Sequence, residues 1–198
     1  MAKIDKDLIQ DLRNRTGCGM MDCKKALEET GGDIDKSIEI LRKKGASIAE
    51  KRSGNKTAEG IIEAYIHPGN QVGVLIELNC ETDFVARTAA MHQFAKDVAM
   101  HIAALRPEYL KPEDADPKFV ENELRIIHEQ LTEEKKPEKM IAQIAQGKLK
   151  KILTEKCLLE QPFVKNDKIT VHDALKELIA KLGENIVIKR FCRFEIGA

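Results

Sequence analysis

The sequence predicts an α+β protein: a small bundle of three helices, followed by a core in which helices cover a three-stranded antiparallel sheet. Two observations support this fold class. Apolar residues recur three or four positions apart along most of the chain, which is the helical period. They alternate only over residues 61–78 and 186–196, which is the strand period. Strands at both ends of a helical region indicate an α+β layer structure.

The bundle is predicted from three short amphipathic segments in the first 45 residues. A first helix over residues 4–15 ends at the break 16–19, and a second ends at Gly31. Asp33 caps a third, which we expect to stop at Gly45. Their predicted inward faces are Ile4, Leu8 and Leu12, then Cys23, Ala26 and Leu27, then Ile34, Ile38 and Leu41. Such a unit resembles a ubiquitin-associated fold, and its core is too small for more than marginal stability.

A domain boundary is predicted where the pattern changes. Residues 46–57 lose helical periodicity and gain polar and Gly character before the strand pattern begins. We therefore predict a helical domain at 1–52 and an α+β core domain at 53–198.

The core elements follow from periodicity and from Pro and Gly positions. We expect both strands of the first hairpin to be buried on at least one face. The predicted order is a strand at 61–66, a turn at 67–70, a strand at 72–78, helices at 82–105, 117–134 and 137–160, a helix from Thr170 or Asp173 to Gly183, and a strand at 186–196.

Composition narrows the class of partner and the compartment. The 33 basic and 33 acidic side chains cancel, so no long-range field draws the chain to nucleic acid or to an anionic membrane. No 18 apolar residues run together, and the first residues lack the apolar segment of a signal peptide. Five cysteines at unrelated spacings favour reduced thiols over a disulfide framework. We expect a soluble, cytoplasmic protein that binds neither nucleic acid nor membrane.

Catalytic and metal patterns are weak. The five histidines match no zinc spacing, and no Cys-x-x-Cys occurs. Gly17-Cys18-Gly19 resembles the start of a phosphate loop, but the rest of that motif is absent, so a helix-breaking turn explains it better. We predict no catalytic residue, no metal and no cofactor.

The segment 77–87 is the most informative feature of the chain. An alternating apolar run stops there, and a polar bend with Asp83 and Phe84 follows. With six Phe, two Tyr and no Trp, aromatic surface is scarce, and an element boundary is where a core residue is least needed. Two interpretations stay open: Thr82 caps a helix while Phe84 covers the hairpin, or Phe84 is a probe for a partner.

Met20 and Met21 form a second candidate contact. They stand in the turn between the first two helices, where one can pack inward while the other faces outward. Core packing is one interpretation. The other is an adaptable surface, with Leu12 beside it, that accepts an apolar helix of another protein.

Two long segments, residues 12–27 and 77–87, resemble the signatures of the elongation factor Ts family, and the tail at 160–164 and 190–197 is similar too. Cys18 departs from the Ala usual in the family, which the turn should tolerate because both are small. The chain also has room for one half of the double core found in many members. The resemblance therefore implies a homodimer.

The resemblance implies a non-enzymatic guanine-nucleotide exchange factor that binds elongation factor Tu·GDP and promotes GDP release. It implies that Thr82, Asp83, Phe84 and Val85 dislodge Mg²⁺ from the GTPase. It also implies contacts with the GTPase domain by Leu12, Met20 and Met21. His67 is either a further contact or a simple turn residue. From position alone, Cys192 on the last strand is expected near a dimer contact.

Two rival functions stay open at this point. The first is an adaptor that binds a GTPase without changing GDP dissociation. The second is a thiol enzyme, which would lose activity on alkylation of Cys18, Cys23 or Cys80.

Overall fold

The computed structural model describes residues 4–197, and over that range the chain is a mixed α+β protein, as predicted. Its main elements are α1 (Lys6–Thr16), α2 (Met20–Thr30), α3 (Ile34–Arg52), β1 (Glu59–Ile66), β2 (Val72–Cys80), α4 (Asp83–Ala86), α5 (Ala89–Leu105), α6 (Pro117–Glu133), α7 (Glu138–Lys156), β3 (Pro162–Phe163), β4 (Asn166–Thr170), α8 (Val171–Leu182) and β5 (Ile186–Glu195). Short 3-10 turns lie at Pro112–Asp114 and Leu158–Glu160.

The first three helices pack around a small common core. Left-handed glycines end α1 and α2, with φ of 67° at Gly17 and 65° at Gly31. Asp33 begins α3 by accepting the N–H of Lys36 at 3.0 Å. The buried residues are those the periodicity predicted: Leu12, Cys23, Ala26, Leu27 and Leu41.

The predicted end of the third helix at Gly45 is wrong. Helix α3 continues through this residue to Arg52, so residues 46–52 are helical rather than a linker. Gly45 is buried and lies against Ala180 of α8, where a side chain would crowd the neighbouring helix. Arg42 adds an ion pair with Glu177 of α8 at 3.1 Å. Glycine here permits a close helix approach instead of terminating the helix.

The three-stranded antiparallel sheet has the order β1-β2-β5, which confirms the prediction that the last strand joins the hairpin. The hairpin turn closes with the N–H of His67 on Val72 O at 2.9 Å. In β2, Val74, Ile76 and Leu78 are buried while Leu75 is exposed, so one face of this strand is covered. In β1 no residue is fully buried.

Two helix boundaries also differ from the predictions. The helix predicted over 82–105 is broken after α4, because Thr88 starts α5 anew and its hydroxyl accepts the N–H of Met91 at 3.2 Å. The helix predicted to reach residue 160 stops at Lys156. A small antiparallel hairpin of β3 and β4, which the sequence did not predict, follows it.

Helices α6 and α7 form a helical hairpin with its own apolar core. That core contains Ile127, Leu131, Ile141, Ala145 and Leu149. Both helices lie close to their predicted positions because their apolar residues follow the helical period.

By internal packing the chain divides into two compact units. The first contains the chain up to Ile62, Glu77–Ala95 and Asp173–Lys189, and the second contains Glu63–Ile76, Lys96–His172 and the chain from Arg190. The predicted domain boundary after residue 52 stays a prediction. No helix within residues 4–197 is both long and apolar enough to cross a membrane.

Candidate partner-binding site

The bend after β2 is a capped turn, as one of the two interpretations expected of Thr82. Thr82 is extended, with φ of −128° and ψ of 156°, and its hydroxyl oxygen accepts the N–H of Val85 at 3.5 Å. The buried thiol of Cys80 lies 3.1 Å from Thr82 O and donates to it. Burial raises the pKa of Cys80, which keeps this thiol protonated. We call residues 81–87 the elbow.

Phe84 projects from the elbow into solvent. Its relative exposure is 80%, while Val85 and Ala86, its neighbours on α4, are buried. Phe84 therefore does not cover the hairpin, and that interpretation of the bend is wrong. An apolar ring held in water on an anchored turn is the kind of side chain that anchors protein interfaces.

Asp83 has a partner that sequence reasoning missed. Its carboxylate lies 2.9 Å from the guanidinium of Arg87, one turn further along the elbow. Both side chains are well exposed, so the pair is a weak one. In this conformation the Asp83 carboxylate is paired with Arg87.

Two carboxylates, one outside the elbow and one within it, tie the elbow to the residues after α8. Glu184 accepts the backbone N–H of Thr82 at 3.0 Å and its hydroxyl at 2.7 Å. Glu81 accepts the backbone N–H of Asn185 at 2.6 Å and also contacts Asn55 and Arg52. These hydrogen bonds, led by that from Asn185, hold the pKa of Glu81 below its usual value. The one sequence signal for Glu184 is an acid directly after the helix-ending Gly183.

The methionine pair lies on the first turn of α2. Met20 is 52% exposed and Met21 is 63% exposed, so neither packs inward as one interpretation required. Gly19 is the N-cap residue of α2, and no side chain of the described residues accepts a capping hydrogen bond there. Two flexible thioethers side by side form an adaptable apolar surface.

Leu12, predicted beside that surface, is fully buried in the bundle core. In this conformation it offers no surface to a partner. It supports the bundle that carries the methionines.

His67 lies in the exposed hairpin turn of the second unit. Its Nδ1 is 3.1 Å from the hydroxyl of Tyr65. The turn needs left-handed backbone at Gly69 and Asn70, with φ of 95° and 57°. This placement leaves both interpretations of His67 open.

An apolar sheet face in the second unit is also exposed. A shallow hollow of about 180 Å³ lies between the hairpin turn and the end of β5. Five exposed apolar side chains of the second unit form what we call the sheet patch: Ile66 on β1, Leu75 on β2, Cys192 and Phe194 on β5, and Ile196 directly after it.

The geometry gives little support for a thiol nucleophile or a metal site among the described residues. Burial raises the pKa of Cys23 as well as that of Cys80, which opposes formation of a thiolate nucleophile. Within residues 4–197, no three His, Cys, Asp or Glu side chains are grouped to hold a metal ion.

An exposed aromatic on a braced turn and exposed methionines on a small bundle are typical of protein-binding surfaces. Comparisons with known proteins identify the family. The model of the family Elongation factor TS matches residues 20–198. The chain belongs to the elongation factor Ts family and therefore to the translation elongation factors.

Three relatives illustrate the similarity, and each is named Elongation factor Ts. One, from Carboxydothermus hydrogenoformans, is 53% identical and covers 98% of this chain and 89% of its own. Another, from Desulforamulus reducens, is 48% identical and covers 100% and 91%. A third, from Desulfosudis oleivorans, is 50% identical over the full length of both chains. The family predicted from residues 12–27 and 77–87 is confirmed.

Proposed function

We propose that this chain is a guanine-nucleotide exchange factor that acts in the cytoplasm on elongation factor Tu·GDP, promotes GDP release and so allows GTP to bind. The single observation that carries the proposal is Phe84, exposed to 80% on a turn whose backbone is tied down. The factor performs no covalent chemistry. It acts by binding the nucleotide-free GTPase more tightly than the GDP-bound form.

The elbow acts on the metal as well as on the protein. Mg²⁺ bridges and neutralises the phosphate oxygens of a nucleotide bound to a GTPase, so disturbing the ion weakens the nucleotide. Phe84 wedges between helices of the GTPase domain, with Thr82 and Val85 fixing its approach. Asp83 exchanges Arg87 for the polar groups that order the ion.

The energetics require more than one contact. Burying a Phe removes roughly 150–250 Å² from water, which is up to about 4–6 kcal/mol before ordering costs. Accelerating release about ten-thousand-fold requires about 5.5 kcal/mol. The remaining binding that favours the nucleotide-free state therefore comes from other contacts of the elbow, including Asp83, while Met20 and Met21 add affinity for both states of the GTPase. The coupling between two ligands is reciprocal at equilibrium. GDP therefore lowers the affinity of the GTPase for the factor by the same ratio by which the factor lowers its affinity for GDP.

We further propose that two copies of the chain form a homodimer through the sheet patch. The supporting observation is the group of exposed apolar side chains in the second unit, together with the hollow beside Phe194 and Ile196. Contiguous exposed apolar surface marks an interaction site. A second copy is a suitable occupant because a two-fold interface pairs a patch with itself.

The test of exchange is stopped-flow release of a fluorescent GDP from elongation factor Tu. The parental chain should speed release catalytically, and Phe84→Ala should slow that effect by at least about thirtyfold, as for an interface anchor. Phe84→Leu should fall between the two. Val164→Ala, which shortens an exposed apolar side chain that is not part of the elbow, should behave as the parental chain. Phe84→Ala exchanging at the parental rate would refute the wedge.

A further inference from the structure

The elbow and the residues that follow α8 exchange hydrogen bonds in both directions. The carboxylate of Glu184 accepts two bonds from Thr82, one from the backbone N–H and one from the hydroxyl. The carboxylate of Glu81 accepts the backbone N–H of Asn185. The segments 81–82 and 184–185 are thus tied side chain to backbone across about a hundred residues of sequence.

Glu184 also sets the direction of the Thr82 hydroxyl. A hydroxyl has one proton and two acceptor lone pairs. Because Thr82 donates its proton to Glu184 at 2.7 Å, its lone pairs are left to accept the N–H of Val85. The same contact therefore orients the cap of α4.

The direction of α4 depends strongly on this cap because the helix has only four residues. A helix of one turn gains nothing from propagation, since nucleation fixes several backbone dihedrals for a single hydrogen bond. Its direction depends on what fixes its first residues. Phe84 is the second residue of α4, so its direction depends on Thr82 and hence on Glu184.

We propose that Glu184 is a positioning residue for exchange: it fixes Thr82 so that Phe84 is presented in a single direction before the partner arrives. This inference rests on the proposed exchange function and names a residue outside the elbow on which that function depends. Without Glu184 the elbow must be ordered during insertion, which slows GDP release inside the complex. Affinity that comes from Met20 and Met21 is left intact.

The experiment compares Glu184→Gln with Glu177→Gln. The amide at 184 keeps an acceptor for the backbone N–H of Thr82 but presents an NH2 group to the Thr82 hydroxyl, so that hydrogen bond loses its charge and reverses its direction. The control makes the same change on α8, where Glu177 makes an exposed ion pair with Arg42 and does not contact the elbow.

GDP release at saturating factor should fall roughly tenfold in Glu184→Gln, the scale of one lost charge-assisted hydrogen bond. The factor concentration giving half-maximal release should change by less than about twofold, which separates positioning from binding. Amide hydrogen exchange at Thr82 should become faster. Glu177→Gln should match the parental chain in all three measurements.

A double-mutant cycle tests whether Glu184 acts through Thr82. Thr82→Val removes the hydroxyl at nearly constant shape. If the two residues act as one unit, the double variant should be little slower than the slower single variant. Independent effects that multiply would overturn the inference, and so would a parental release rate in Glu184→Gln.

The outcomes distinguish this inference from the proposed function. Parental release by Glu184→Gln, alongside impaired release by Phe84→Ala, overturns the positioning role alone. A parental chain that does not speed GDP release overturns both.

Discussion

A β-carbon at Gly45 would lie 3.0 Å from the β-carbon of Ala180, closer than ordinary side-chain contacts. Helices α3 and α8 approach closely because position 45 has no side chain. The N-terminal bundle contacts α8 at this close approach and where Lys181 packs over Gly17, and the exposed Arg42–Glu177 ion pair adds little to these contacts.

We therefore expect Gly45→Leu to destabilise the protein by about 1–3 kcal/mol, as overpacking does when two helices cannot separate freely. Urea unfolding measures the change. Gly147 supplies the control, because it lies inside α7 with open space where its side chain would be. Gly147→Ala should stabilise by about 0.5–1 kcal/mol through helix propensity. Equal effects at the two positions would contradict the close approach.

The exposed methionines should control affinity rather than the rate of GDP release inside the complex. Replacing both Met20 and Met21 by Ser removes their apolar contact surface but keeps the bundle core, since both side chains are exposed. The factor concentration for half-maximal release should rise by roughly tenfold or more, with little change in the maximal rate. Met140→Ser, at another exposed methionine on α7, is the matched control and should change neither. A lower maximal rate with unchanged half-saturation would refute this role.

The sheet patch should hold the dimer together. Phe194 is 68% exposed beside the hollow, and Phe194→Glu places a charge where two patches would meet. The solution mass should shift from two chains to one chain of 22.3 kDa, measured by light scattering. Met140→Glu adds the same charge at an exposed methionine outside the sheet patch and should leave the mass unchanged. A parental chain that is monomeric at high concentration would rule out this interface.

His101 should make stability depend on pH. Its ring is buried, Nδ1 accepts the N–H of Val164 at 3.2 Å, and Nε2 lies 2.8 Å from Oε1 of Gln161. An accepting Nδ1 requires the neutral ring with its proton on Nε2. Burial lowers the pKa of His101 from its usual 6.5.

His101 therefore binds a proton more readily in the unfolded chain than in the folded chain. This stabilising contribution is complete above pH 6.5 and is lost as the pH falls from 6.5 towards the lower folded pKa, by at most about 1.4 kcal/mol per pH unit. Urea unfolding between pH 7.5 and 5.5 measures the slope. The window lies above that of Glu81 and Glu195, whose pKa values are lowered from 4.5 and whose stabilisation is lost at lower pH.

His101→Asn should be less stable at neutral pH but should lose most of this slope. His128→Gln changes an exposed histidine on α6 and should retain the slope. A flat parental curve over the window would contradict the prediction, as would an unchanged slope in His101→Asn.

Local pattern was enough to predict most helices and the three strands of the main sheet. The stripe of Cys23, Ala26 and Leu27 is buried as its helical spacing predicts. The antiparallel hairpin follows from two alternating runs around a Pro-Gly turn, and the bend at Thr82 follows from capping chemistry.

Tertiary contacts explain what the pattern missed. Gly45 was predicted to end a helix because glycine often does so, but its partner is Ala180, far along the chain. Glu184 escaped notice for the same reason, since its role depends on contact with Thr82. Leu12 was predicted on the inward face of the first helix and, through the resemblance, as a partner contact; the packing of three helices buries it, as the helical period indicated.

Phe84 makes few packing contacts within its own chain, because most of its ring is exposed. A ring already surrounded by water on an anchored turn can be buried elsewhere without first breaking a packed contact of its own. Association therefore requires no opening step at this residue. The same exposure leaves an apolar ring in water on every free molecule, where it favours contact with other apolar surfaces until a partner covers it.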